Sequence, residues 1–157
     1  MQFPTTTALL LTLLASTAHA SVLSTTNIAT VLAGAKSQST LTIPAAAMAA
    51  IAKLGTGGAT ASTLSAADKA AIASCTSTAQ ANNTASKAGL GGGTGSAGNI
   101  AFVTNKITTH ACEAAGEQIS GTGSDTAINL LISNVGVLNA NTKAAGTTTK
   151  RAEVFQA

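Results

Sequence analysis

From Ser21 to Ala145 the apolar residues of this chain recur at intervals of three and four, the spacing of one face of an α-helix, and they do not keep the alternation of a strand. Five segments carry the pattern. The first, Val22 to Ala35, puts Ile28, Val31, Leu32 and Ala35 on one stripe. The second starts at Pro44, whose fixed φ suits a first helical turn, runs through Met48, Ile51 and Leu54, and stops at Gly55 before the loop "GTGGAT". The third opens with Ser65-Ala-Ala-Asp68, the spacing of a capping box, and aligns Ile72, Cys75 and Ala79. The stretch "ANNTASKAGLGGGTGSAGN" then reads as the one long loop, glycine-rich near 88–98. A fourth helix is expected from Asn99 as N-cap, with Ile100, Val103, Ile107, Ala111 and Ala114 on its stripe and its end before Gly116. The fifth, from Ser124 or Asp125 to Ala145, carries Ile128, Leu131, Ile132, Val135 and Leu138, with Leu130 and Val137 widening the arc. That width predicts the central helix, closed by Gly146. Short linkers and no β pattern define an all-α fold, a small alanine-rich bundle of four to five helices.

Alanine contributes little burial per residue, so such a core is thin and a covalent staple has a physical purpose. The N-terminus supplies the compartment for one. In "MQFPTTTALLLTLLASTAHA" an apolar run from Ala8 to Ala15, too short to cross a bilayer, precedes Ala18-His19-Ala20, the small-x-small pattern of a signal-peptidase site. Residues 1–20 therefore read as a secretory signal cut after Ala20, leaving a helical domain over 21–149. In an oxidising compartment the two cysteines, Cys75 and Cys112, read as one disulfide enclosing the glycine loop. On the predicted fourth helix Cys112 falls off the apolar stripe, which would put the third helix on its flank. No other segment is apolar enough to span a membrane, so an integral membrane protein is not expected.

The chain ends in "TTTKRAEVFQA", where its single Arg follows a Lys. Residues 150–157 read as a dibasic site, Lys150-Arg151, and a short tail, with "TTT" an exposed unstructured approach of the kind proteases prefer. The secreted body would then end near Thr149.

Charge and chemistry exclude more than they assign. Only 8% of residues are charged and the net charge is +3. There is no clustered basic face and no Trp or Tyr to stack bases, so no nucleic-acid partner is expected. Gly93-Thr-Gly95-Ser-Ala-Gly98 is a formal GxGxxG, but no hydrophobic strand feeds it and it reads as a loop, with no cofactor. Ser96 lacks the first glycine and the strand of a nucleophile elbow. His110, Glu113 and Glu117 stand at i, i+3 and i+7 on one helical face, the only grouping in the chain that suggests a metal site or an acid–base pair. Solvated local pairing explains it more simply, so neither catalytic nor metal residues are assigned. Asn82-Asn83-Thr84 is an N-glycosylation sequon placed in the expected loop.

The Met-Gln-Phe signal start, the small body rich in Ala, Thr and Ser with few cysteines, and the Lys-Arg pair together resemble the small secreted proteins of filamentous fungi. The resemblance is to a class whose members include cell-wall-associated and effector-like proteins, and in which a kexin-type protease cleaves after Lys-Arg. The helical, aromatic-poor body is also loosely similar to fungal hydrophobic-surface-binding proteins, and it lacks the eight-cysteine pattern of hydrophobins. The expected function is binding without catalysis, in the extracellular space or the cell wall, with an apolar surface or lipid, a cell-wall component or a host protein as partner. An enzyme or metal-binding protein using His110 with Glu113 or Glu117 is the alternative.

Overall fold

A computed structural model of the chain describes residues 27–36, 41–54, 64–122 and 125–156, with side chains through residue 147. Among these residues the fold is all-α, a bundle of five helices stapled by one disulfide: α1 Ile28–Ala33, α2 Ala45–Leu54, α3 Ala66–Ala88, α4 Ala97–Ser120 and α5 Asp125–Gln156. The signal segment with Ala20, the start expected for the first helix at Val22, and the loop from Gly55 lie outside the described residues.

Local chemistry sets the helix ends. Asn27 caps α1, its side chain accepting from Thr30 N at 3.2 Å. Asn139 of α5 then clasps the other end of α1, accepting from Lys36 N at 2.7 Å and donating to Gly34 O at 3.0 Å. Pro44 stands immediately before α2, and Met48 N donates to its carbonyl. At the start of α3 the capping box is complete: Ser65 Oγ accepts from Asp68 N at 3.1 Å, and Ser65 N donates to Asp68 Oδ2 at 3.2 Å.

Helices α3, α4 and α5 are bounded differently from the sequence reading. Helix α3 runs on to Ala88, so Asn82 lies within a helix and not in a loop. The stretch from Ala81 to Ala88 contains alanines and a lysine, which are good helix formers, and Ser86 Oγ adds a bond to Asn83 O at 3.0 Å. Helix α4 is capped by Ser96, not Asn99, and continues past Gly116 to Gly121, whose φ of 69° stops it. A mid-helix glycine costs about 1 kcal/mol, and the helix is held past it by Ala114, Ala115 and Ile119, which pack into the core. Helix α5 likewise passes Gly146 and carries the backbone to Gln156, so the approach to Lys150-Arg151 is helical and not unstructured. Thr147 Oγ1, bonded to Lys143 O at 2.9 Å, reinforces the turn around Gly146.

The central helix is α4, not α5: it packs against all four others. Its Ile107, Ala111, Cys112 and Ala115 are fully buried. The arc on α5 is wide because part of it faces outward; Ile128, Leu131, Val135 and Leu138 are buried, while Leu130, Ile132 and Val137 are exposed. The reverse happens on α4, where Thr104, Asn105, Thr108, Thr109 and Gln118 are buried although they read as polar. Most of that stripe is satisfied internally. Thr108 and Thr109 donate to the carbonyls of Thr104 and Asn105, and Asn105 Nδ2 donates across to Ala79 O on α3 at 3.2 Å.

Cys112, off the apolar stripe, is buried because α3 packs over it. Its sulfur bonds Cys75 on α3 across a Cα separation of 6.1 Å, in the middle of the α3/α4 contact. At the other end of that pair the glycine loop lets the two helices meet. A Cβ on Gly98 would lie 2.1 Å from Gly89 O, so only glycine permits this approach.

Candidate functional groove

The α3/α4 pair leaves an open groove of about 510 Å³ beside the first three turns of α4. Helix α4 lines it with Ala97, Ile100, Ala101, Thr104 and Asn105, at intervals that place them on one side of the helix. Asn82 of α3 and Thr42, from the segment entering α2, complete the wall. The small alanines are what leave the space: a larger residue at position 97 or 101 would fill it. A smaller cavity of about 50 Å³ shares Thr42, Asn82 and Asn105 and extends the cleft to Cys75 and Thr108, next to the disulfide.

Thr42 is held in place by chemistry that can be read from the donors. The single Thr108 hydroxyl proton goes to Thr104 O at 3.1 Å, so the 3.0 Å bond between Thr42 Oγ1 and Thr108 Oγ1 has Thr42 as donor. This bond ties the strap before α2 to the floor of the cleft. Asn105 is committed to Ala79 O. Thr104 differs from both: it is 3% exposed, lines the groove, and its hydroxyl has no hydrogen-bond partner. A buried hydroxyl left unbonded costs about 1–3 kcal/mol. None of the seven lining residues is charged.

The catalytic and metal candidates considered in the sequence fall elsewhere. His110 Nδ1 lies 2.9 Å from Glu113 Oε2, and Gln80 Nε2 donates to Glu113 Oε1 at 3.0 Å. That is a local pair braced from α3, and it does not line the groove. Glu117 is not joined to it; one Glu117 oxygen is buried without a partner. Among the described residues no three His, Cys, Asp or Glu side chains come together as a metal site. The GxGxxG glycines follow helix α3, not a strand, and Ser96 is occupied in capping, accepting from Asn99 N and donating to Gly91 O. Among the described residues no helix is long and apolar enough to cross a membrane.

Of the lining residues the sequence reading gave Asn82 a role as a glycosylation acceptor and Ile100 a place on the apolar stripe of the fourth helix. Thr42, Ile100, Ala101, Thr104 and Asn105 were missed as a set. The one signal that pointed to them was a Thr-Asn pair set beside the apolar stripe Ile100, Val103, Ile107. Comparison with family models, with curated proteins and with solved structures found no match to this chain. The groove is therefore the ground for a functional reading.

Proposed function

We propose that the protein is a secreted, non-enzymatic binding protein whose α3/α4 groove takes a small amphipathic molecule, an apolar chain bearing one neutral polar group. The observation that supports this most is the composition of the groove. It offers about 510 Å³, in the range of small-molecule sites, with apolar walls at Ala97, Ile100 and Ala101 and the exposed, unbonded side-chain amide of Asn82 on its rim. An alkyl chain would gain about 0.8 kcal/mol per buried methylene. A neutral alcohol or carbonyl could bond the side-chain amide of Asn82 at the wall, whereas a carboxylate would meet no cation among the lining residues.

Calorimetric titration of the unglycosylated protein with 1-decanol tests this reading. Binding should carry a negative heat-capacity change and weaken at least tenfold in Ala101→Phe, which fills the groove from an exposed helix position. No saturable heat with 1-decanol or with decanoate would remove the groove as a ligand site.

A further inference from the structure

The only N-x-S/T sequon of the chain, Asn82-Asn83-Thr84, sits on the rim of this groove. We propose that Asn82 carries an N-linked glycan whose first sugars cover the groove, so that the ligand site is open only in the chain that escaped modification. This rests on the groove being a ligand site. Asn82 is exposed, its side chain has no bond to another described residue, and it lines both the 510 Å³ groove and the 50 Å³ cavity beneath it. A sugar attached there starts at the wall of the cleft, and a ligand entering between Asn82 and Ala101 has to pass it.

Helical placement fixes when the modification must occur. In α3 the side chains of Asn82 and Thr84 are two residues apart and point to different sides, so the folded helix cannot offer both to one enzyme site. Transfer therefore precedes folding, on the nascent chain in the secretory pathway. The Asn82 amide nitrogen forms a bond to C1 of the first N-acetylglucosamine of a polyprenyl-diphosphate oligosaccharide. The C1–oxygen bond breaks, the diphosphate leaves with the electron pair, and the amide proton passes to base. No later equilibrium reverses this, so the two forms are fixed at synthesis.

The test is to secrete wild type and Thr84→Ala from a glycosylating eukaryotic host. Thr84 is exposed, so its loss removes the sequon and leaves the groove walls as they are. Peptide-N-glycosidase treatment in ¹⁸O water reports occupancy of Asn82 by mass. Hydroxyl-radical footprinting of Ile100 reports cover independently of any ligand, and titration with 1-decanol reports access. The expected result is an occupied Asn82 in wild type, Ile100 oxidised at least threefold more slowly than in Thr84→Ala, and affinity for 1-decanol at least tenfold weaker. Unmodified Asn82 in wild type overturns the proposal, as does an occupied Asn82 with equal footprinting in the two forms. If neither form binds 1-decanol while Ile100 is protected only in wild type, the cover by glycan stands and the ligand reading fails.

Discussion

Lys53 at the end of α2 holds both carboxylate oxygens of Asp68 in the first turn of α3, at 2.7 and 2.9 Å. The same carboxylate accepts from Ser65 Oγ at 2.8 Å, so one side chain serves the helix cap and the joint between two helices. The Lys53 bond first, and then the Ser65 bond, hold the Asp68 carboxyl below the usual carboxylate range. Because the folded pKa is depressed, the contribution is complete above the unfolded value of about 3.9 and is lost as pH falls through the folded one. The stability difference between wild type and Asp68→Asn in urea should be constant near neutrality and shrink below about pH 4. Since Lys53 is half exposed, 1 M salt should also reduce it. A difference independent of pH between 2 and 7 would show that the ion pair contributes nothing.

The Cys75–Cys112 bond closes a loop with 37 residues of separation, and loop-closure entropy gives it about 4 kcal/mol. Both cysteines are at most 1% exposed. The double variant Cys75→Ala, Cys112→Ala should lose about that much in denaturant titration, a large share of a small domain's stability. Thiol labelling of unreduced, denatured protein should find no free cysteine, and two labelled thiols would contradict the staple.

The helices were legible because periodicity, Pro44 and the Ser65–Asp68 box are local signals, and the staple because the chain has only two cysteines to pair. What failed was the ranking of the helices. Leu130, Ile132 and Val137 suggested burial on α5 and are exposed, whereas Thr104, Asn105, Thr108 and Thr109, polar residues that lie off the apolar stripe of α4, are buried. Whether a threonine can be buried depends on which carbonyl its hydroxyl reaches, and Asn105 depends on Ala79, 26 residues away. No local window of sequence contains that partner. The groove was illegible for a related reason, since it is an absence of side-chain volume at Ala97 and Ala101, and the chain has alanines everywhere. Glycines misled in the other direction. Gly116 and Gly146 read as helix ends, yet both lie within helices that packing and side-chain bonds carry past them.

Thr104→Val separates folding from binding. Removing an unpartnered buried hydroxyl while keeping the branched shape should stabilise the free protein by about 1 kcal/mol in denaturant titration. The same substitution should leave the affinity for 1-decanol unchanged, because the hydroxyl is closed off from the groove, whereas Asn82→Ala, which removes the unbonded amide from the wall, should weaken it. A destabilised Thr104→Val would mean that the hydroxyl has a partner in solution.

Processing at Lys150-Arg151 is proposed on the sequence pattern, and the helical backbone there adds a condition: the end of α5 must unwind before a protease can act. Intact mass of protein secreted from a host with a kexin-type protease should show a body ending near Thr149. Helix-breaking Thr148→Pro should raise the cleaved fraction. A dominant species that retains Ala157 in both proteins would show that the site is unused.

The most direct test of the groove as a ligand site is amide chemical-shift mapping of 1-decanol on unglycosylated protein. Saturable shifts should concentrate at Thr42 and from Ala97 to Asn105, while a separate pocket lined by Ala29, Leu32 and Met48, and the exposed Leu130 and Val137, stay unmoved. Shifts centred on Met48 or Val137, or none at a saturating alcohol concentration, would contradict it.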